Sequence, residues 1–166
     1  GFDNINMDLI LGLPGELEAD VQRTIEKIVE LAPDSLTVHS LAIKRASRLN
    51  QWIQENGVSM LHNTDETMKI AAAGAEKLGM KPYYLYRQKN MAGNFENVGY
   101  SLPGKACIYN ILIMEEMQTI AACGAGTTTK VVFPSENRRE RCENVKEVEQ
   151  YISRIGEMIQ RKERIL

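Results

Sequence analysis

A strand, helix and strand pattern in the first 43 residues is the feature that most constrains the fold. Apolar and polar residues alternate over residues 4–12, and the turn LPGE then leads into apolar residues at helical spacing over 17–29. The sequence APDS ends the helix, and SLTVHSLAI at 35–43 has strand character again. Three elements joined this closely predict a βαβ unit, in which the two strands are parallel neighbours.

A carboxylate lies within the first of these strands. The alternation directs the odd-numbered apolar residues of 5–11 toward the helix and places Asn4, Asn6 and Asp8 on the opposite face. Three polar side chains on one strand face are costly unless water or hydrogen bonds satisfy them. Asp8 is also near the carboxyl end of its strand, where sites form in α/β proteins. The spacing is equally compatible with a ligand-binding carboxylate and with a structural one bonded to neighbouring backbone.

The remaining pattern predicts an α/β chain whose sheet begins parallel and ends in a strand meander with a closing helix. The predicted elements are a helix within 44–57, a helix from Asn63 or Thr64 to Gly79, a strand at 81–89, a polar loop at 90–105, strands at 107–116, 118–126 and 130–134, and a helix capped by Asn144 with a buried apolar stripe at positions 145, 148, 152, 155 and 159. The 166 residues are expected to form a single domain.

Composition excludes several classes of protein. Hydrophobic residues make up 43% of the chain, charged residues 25%, and the formal net charge is −2, as in ordinary cytoplasmic proteins. Basic residues are scattered apart from RRER at 138–141 and RKER at 161–164, which are expected to be solvated surface, so a nucleic-acid partner is not predicted. No apolar run is long enough for a membrane span, and no signal peptide is recognisable.

The cysteines and histidines predict no metal site. Cys107, Cys123 and Cys142 lie 16 and 19 residues apart, without a CxxC or CxxxCxxC spacing, which favours free thiols in a reducing compartment. The chain has two histidines, His39 and His62. The mid-strand position of His39 favours a buried, hydrogen-bonded side chain over a catalytic one.

Three other stretches could contribute to a site. GLPGE lacks the pattern of a phosphate loop and is expected to be a turn. The tyrosines at 83, 84 and 86 are followed by polar residues 87–90. We expect these tyrosines mainly to be strand residues, and the formation of a wall for a ligand is the second interpretation. In GAGTTTK, Gly124 and Gly126 allow a close backbone approach and the threonines offer hydroxyls, although a bulge at a sheet edge explains the same residues equally well.

Several ordered motifs together resemble one enzyme family. These are MDLILGLPGE, LAPDSLTVHSLAIKRAS, YRQKN, YNI and GAGTTTK. They are similar to the coproporphyrinogen III oxidase-like radical S-adenosylmethionine enzymes, the oxygen-independent oxidases of haem biosynthesis, and the wording is most similar to the anaerobic coproporphyrinogen dehydrogenase branch. The resemblance covers essentially all 166 residues and corresponds to the later, C-terminal part of the catalytic domain.

The resemblance implies a partial (β/α)6 barrel around a 4Fe–4S cluster and S-adenosylmethionine. An electron donor, the cofactor and the cluster then generate a 5′-deoxyadenosyl radical, which takes hydrogen from two propionates of coproporphyrinogen III. Loss of CO2 leaves vinyl groups, giving protoporphyrinogen IX. By motif correspondence, Asp8, Ala42 and Thr128 contact S-adenosylmethionine, with Thr129 at a neighbouring family serine.

The family's cluster-binding CxxxCxxC loop is not in this sequence, which begins at Gly1. The chain is therefore expected to be a piece of a longer enzyme, inactive by itself, with an open first strand that favours self-association. Two alternatives from other classes are a haem-binding chaperone of the same superfamily and a small-molecule binding module without chemistry. The catalytic residues, the electron donor and the porphyrinogen contacts stay open.

Overall fold

The computed structural model describes residues 1–43, 47–57, 61–87, 93 and 95–166. The chain forms two compact units, Gly1–Cys107 and Ile108–Leu166. The expectation of one domain over 1–166 stays a prediction. Residues 44–46 of the predicted helix at 44–57 and residues 88–90 of the YRQKN motif lie outside the described residues.

The first unit is a sheet with helices on one face. Its elements in chain order are β1 (Asn6–Leu11), α1 (Glu18–Leu31), β2 (Ser35–Ser40), α2 (Arg48–Asn56), α3 (Asp65–Lys77), β3 (Lys81–Tyr86) and β4 (Asn97–Ser101). The sheet order is β1-β2-β4-β3.

The predicted βαβ unit is present at the start of the chain. β1 pairs in parallel with β2, and Asp8 lies opposite Thr37 in the register. α1 begins where Asp20 accepts a hydrogen bond from the backbone N–H of Leu17, at 2.9 Å. It ends at Ala32 in the left-handed conformation, with φ 47°. Local capping therefore sets the length of the crossover helix that keeps the two strands parallel.

The polar loop predicted at 90–105 is wrong for residues 97–101. These residues form β4, which lies between β2 and β3 and is antiparallel to both. The buried residues of β4 are Asn97, Gly99 and Ser101, which are small or polar. A pattern that depends on apolar alternation does not detect such a strand.

The two faces of the sheet differ in chemistry. α1 and α3 cover one face, and the apolar core beneath them consists of Leu9, Leu11, Val21, Ile25, Ile28, Leu36, Val38, Ala71, Ala75 and Met80. On the first strand, Asn6, Asp8 and Ile10 point away from this core and are exposed. The predicted assignment of Asp8 to the face away from the helix is therefore confirmed, while Ile5, predicted to be buried, is exposed.

The second unit contradicts several predicted strands. Its elements are α4 (Ile108–Glu115), β5 (Thr128–Phe133), a short 3-10 turn (Pro134–Glu136), β6 (Arg138–Glu143), α5 (Val148–Ser153) and α6 (Ile155–Glu163). The segment predicted as a strand at 107–116 is mostly helix, because a short apolar run does not distinguish the two by periodicity. Residues 118–126 contribute one bridge, from Ile120 to Lys130, rather than a strand. β5 contains residues 130–133 of the strand predicted at 130–134, while Pro134 begins the 3-10 turn, and β5 pairs with β6, which carries RRER.

The closing helix also differs from its prediction. The first helix begins after Glu147 rather than at Asn144, and the backbone breaks at Arg154 between α5 and α6. The predicted buried stripe is largely exposed, with Ile152 at 66%. At the break, hydrogen bonds from Arg154 and Arg161 lower the pKa of Glu157 to about 2.

Within the part of the chain that the structure describes, no helix has the length and apolar character needed to cross a membrane.

Asn144 stabilises the glycine-rich loop before β5 instead of capping a helix. Its buried amide donates to the Gly124 carbonyl at 2.8 Å and to the Thr127 hydroxyl at 3.1 Å. The next two threonines differ, since Thr128 is exposed whereas Thr129 is fully buried and accepts a hydrogen bond from the Ala122 N–H at 3.0 Å.

Helices α1 and α3 of the first unit pack closely at Gly74. A Cβ added there would overlap the Cγ2 atom of buried Ile25 on α1. Gly74→Ala is expected to lower the free energy of unfolding by about 1–3 kcal/mol, because α3 would have to move away from α1. Urea unfolding followed by the fluorescence of Trp52, the single tryptophan, measures this change. Gly156→Ala is the control, since nothing lies within 4 Å of the added carbon; an equal loss in both variants would contradict the packing argument.

Thr128 and Thr129 offer a matched pair of substitutions. Thr129→Val is expected to cost about 1–2 kcal/mol of stability, because the Ala122 N–H loses its acceptor. Thr128→Val is expected to change stability by less than about 0.5 kcal/mol, as usual for an exposed position. Thermal unfolding followed by circular dichroism compares the stability of the two variants. A larger loss of stability in Thr128→Val than in Thr129→Val would contradict the structural role of Thr129.

Candidate functional site

A pocket lies at the carboxyl ends of the two parallel strands. Its volume is about 380 Å³, and it is lined by Asp8, Ile10, His39, Ser40, Leu41, Ala42, Tyr86 and Asn97. Parallel pairing brings the ends of β1 and β2 to the same edge of the sheet, which is where ligands bind in α/β proteins. Asp8 and Ala42, both predicted from the sequence, are thus brought together.

Asp8 presents an accessible carboxylate to this pocket. Its side chain is 64% exposed. Oδ1 accepts a hydrogen bond from the amide of Asn6 at 2.7 Å, and Oδ2 lies 3.7 Å from Nε2 of His39. Asn6 in turn accepts a hydrogen bond from the Thr37 hydroxyl at 3.2 Å. These contacts come from side chains, and the ligand-binding role of Asp8 stays a prediction.

His39 lies beside Asp8 because the register places it opposite Ile10, two residues beyond Asp8. Its side chain is 24% exposed, and its Nδ1 atom is 3.2 Å from the hydroxyl of Tyr86. The two rings meet edge to face, with their centroids 6.3 Å apart. The histidine therefore has the hydrogen-bonded environment that its strand position predicts, and it also lines the pocket.

Asn97 is a residue of the site that sequence reasoning missed. It is 1% exposed, and its side-chain oxygen accepts a hydrogen bond from the backbone N–H of Ser40 at 2.7 Å. This bond holds the last residue of β2 against β4, immediately before Leu41 and Ala42 of the pocket. Its position within a predicted loop concealed it, since the signal that identifies it is the register of β4 with its neighbours.

The tyrosines of β3 extend the polar face of the sheet. Tyr84 lies over Gly99, where any Cβ would overlap its ring, and its ring is parallel to that of Tyr86 at 6.0 Å. Burial raises the pKa of Tyr84 to about 12 against the usual 10.0, while a hydrogen bond with Thr37 acts in the opposite direction. The tyrosine side chains at 84 and 86 therefore lie side by side on this face, and a ligand wall formed by the tyrosines at 83, 84 and 86 stays a prediction.

Thr128, the third predicted contact, belongs to the second unit. It lies at the start of β5 with an exposed side chain. Its neighbour Thr129, at the position matched to the family serine, is buried and bonded to the backbone of Ala122. The role of Thr128 in cofactor binding stays a prediction.

The described residues do not fit an iron–sulfur cluster. No group of three or more histidine, cysteine or acidic side chains among them could hold a metal ion. The cysteines are free, with Cys107 half-buried, Cys123 exposed and Cys142 buried. The thiolates that bind a cluster have to converge on one centre. The part of the chain that the structure describes therefore provides no set of ligands for a cluster.

The raised pKa of Tyr84 predicts a late tyrosine ionisation. The neutral phenol is favoured in the folded state, so its contribution to stability is present below pH 10 and is lost as the pH rises through about 12. Absorbance titration at alkaline pH should show a late phase, to which Tyr100, whose pKa burial also raises, contributes. Tyr84→Phe should reduce that phase by one tyrosine, whereas Tyr109→Phe, at an exposed position, should leave it unchanged. A late phase that survives Tyr84→Phe at full amplitude would contradict the assignment.

Comparison with known proteins supports the resemblance seen in the motifs. The chain matches no protein-family model. It is 44% identical over 154 residues to the oxygen-independent coproporphyrinogen-III oxidase-like protein HemZ of Bacillus subtilis, covering 93% of this chain and 31% of that protein. It is 25% identical over 114 residues to the heme chaperone HemW of Mycobacterium tuberculosis, covering 67% of this chain and 26% of the chaperone.

A solved structure shares the fold. It is the coproporphyrinogen III oxidase HemN from Escherichia coli, described as a radical SAM enzyme, with a TM-score of 0.57 and 18% identity over 95% of this chain and 35% of that chain. The chain thus spans about a third or less of the length of the proteins it matches. Over that span the predicted resemblance is confirmed, and the chain is a relative of the oxygen-independent coproporphyrinogen-III oxidase-like proteins.

Proposed function

We propose that the chain is the later part of the catalytic domain of a radical S-adenosylmethionine enzyme that oxidatively decarboxylates coproporphyrinogen III. The pocket at the ends of β1 and β2 holds the nucleoside part of the cofactor. Support comes from the similarity to HemZ over 93% of the chain and from the meeting of Asp8 with Ala42 in one pocket.

The observation that carries the proposal is the accessible carboxylate of Asp8 beside an apolar surface. A carboxylate accepts hydrogen bonds from the hydroxyls of a ribose. Ile10, Leu41 and Ala42 offer apolar contact to a flat base, and the pocket volume of about 380 Å³ is in the range of small-molecule sites. The pocket thus combines a few polar groups with apolar lining, as cofactor sites do.

In this proposal the residues of the chain bind and orient the cofactor. When bound, S-adenosylmethionine supplies the radical that abstracts hydrogen from the substrate. Asp8 holds the ribose, Asn6 keeps the carboxylate in place through its 2.7 Å hydrogen bond, and Asn97 fixes the end of β2. The cluster ligands and the path from the electron donor lie on the rest of the enzyme, so these 166 residues alone are expected to be inactive.

The same proposal includes an incomplete (β/α)6 barrel in a cytoplasmic enzyme. β1 is at one edge of the described sheet, so its outer backbone groups are available for another strand. The earlier strands of the barrel would pair there, and in their absence a second copy of the chain could do so.

A second candidate function is a haem chaperone, which the likeness to HemW at 25% identity favours. Haem titration of the full-length protein separates the candidates. Stoichiometric haem binding without turnover of coproporphyrinogen would contradict the first proposal, whereas turnover to a divinyl product would support it. A CxxxCxxC loop earlier in the full-length protein excludes the third alternative, a binding module without chemistry.

Substitution of Asp8 tests the cofactor site directly. In the full-length protein, Asp8→Asn is expected to weaken S-adenosylmethionine binding about tenfold or more, because a hydrogen bond to a charged acceptor is replaced by a neutral one. The melting temperature should fall by no more than about 2 °C, since the side chain is exposed. Asp3→Asn, at another exposed carboxylate, is the control and should change neither quantity. A large fall in melting temperature with unchanged binding would favour a structural role for Asp8.

A further inference from the structure

We propose that His39 is a second ligand-recognising residue and that its Nε2 atom, together with Oδ2 of Asp8, binds a single hydroxyl group of the nucleoside ribose. Tyr86 acts as a positioning residue that fixes the histidine tautomer. This inference rests on the proposed function, because it concerns the same pocket and the same ligand.

The distance between the two atoms is the first support. Nε2 of His39 and Oδ2 of Asp8 are 3.7 Å apart, which is longer than a direct hydrogen bond. A hydroxyl group placed beside both atoms can donate to the carboxylate and accept from the imidazole N–H, each at an ordinary distance of about 2.7–3.0 Å. The separation of 3.7 Å therefore allows one hydroxyl oxygen to lie beside the pair, within hydrogen-bond distance of both atoms.

The partners of the two side chains orient the pair. Oδ1 of Asp8 is occupied by the amide of Asn6 at 2.7 Å, which leaves Oδ2 as the atom nearer to His39. On the other side, Nδ1 of His39 is 3.2 Å from the hydroxyl of Tyr86. Each side chain is thus held at one end, and the opposite end faces the other member of the pair.

The contacts of both ring nitrogens, Nδ1 with Tyr86 and Nε2 with Asp8, together favour one tautomer of His39. A neutral imidazole has one N–H donor and one acceptor. If the Tyr86 hydroxyl donates to Nδ1, then Nε2 carries the hydrogen and is a donor beside the carboxylate. The opposite tautomer would place a lone pair on Nε2 next to the negative charge of Asp8, which is unfavourable.

The arrangement selects for a group that both donates and accepts. A ribose hydroxyl does both, whereas the hydrogen that replaces it in a deoxyribose does neither. Binding a deoxyribose would desolvate the carboxylate and the half-buried imidazole without giving them a partner. His39 and Asp8 are accordingly expected to discriminate ribose from deoxyribose at one of its two hydroxyl positions.

Nuclear magnetic resonance of the imidazole nitrogens tests the role of Tyr86 without ligand. The chain has two histidines, so a His62→Gln variant assigns the His39 signals in the full-length protein once any histidines outside this chain are assigned in the same way. The Nε2–H tautomer is expected to predominate in the wild type, and Tyr86→Phe should shift His39 toward a mixture while the His62 signals stay unchanged. Predominance of the Nδ1–H tautomer in the wild type would overturn the inference.

Nucleoside binding tests the role of His39. Affinities of the full-length protein for adenosine, 2′-deoxyadenosine and 3′-deoxyadenosine are measured by calorimetry. The wild type should bind one deoxynucleoside roughly five to ten times more weakly than adenosine, as expected for a lost hydrogen-bonding pair. In His39→Ala that ratio should shrink toward 1, and His39→Gln, which keeps a donor near the Nε2 position, should restore part of it. His62→Ala is the matched control and should keep the wild-type ratio.

The outcomes separate this inference from the proposed function. If the wild type binds S-adenosylmethionine but His39→Ala keeps the wild-type ratio, the assignment of His39 is overturned and the cofactor site stands. If the wild type binds neither S-adenosylmethionine nor adenosine, the proposed function fails, and the inference fails with it. Melting curves verify that each variant is folded. If His39→Ala is not folded, the ratio is measured in His39→Gln instead.

Discussion

The parallel pairing of β1 with β2 is the interaction on which the site depends. The register sets Asp8 beside Thr37 and Ile10 beside His39, so the carboxylate and the imidazole come from neighbouring strands and meet near their carboxyl ends. A slip of one residue would turn every side chain of β1 to the other face of the sheet. Asp8 would then lie against the apolar core under α1, at a high cost for an unpaired charge. The core and the pocket therefore require the same register.

The sequence predicted the parts of the fold that depend on local pattern. Alternation and helical spacing identified β1, α1 and β2, and a cap at Asn63 or Thr64 identified the start of α3, where Thr64 is the cap. β4 escaped detection because its buried positions are polar or small, and their burial comes from neighbours distant in the sequence. α4 was mistaken for a strand because an apolar run of this length fits either structure, and the tertiary context decides between them.

As with the fold, the sequence predicted only part of the site. Asp8 stands out as a charge on an otherwise apolar strand, and the family motif added Ala42, so both were found before the pocket was known. Asn97 and the proximity of Tyr86 to His39 could not be predicted, since they depend on the insertion of β4 between β2 and β3. The threonines after Gly126 were also predicted from a motif. One of them, Thr129, is buried and bonded to the backbone of Ala122.

The hydrogen bond between Tyr86 and His39 connects strands that are not neighbours. Adjacent strands are about 4.8 Å apart, so the phenol reaches across β4, and the position in the middle of β4 that Tyr84 covers is glycine. In the role proposed for Tyr86, the tautomer of the imidazole therefore depends on the position of β3. A displacement of β3 by about an ångström would break this hydrogen bond. The other tautomer of His39 would then become more populated, so a movement of β3 would change the group that faces Asp8.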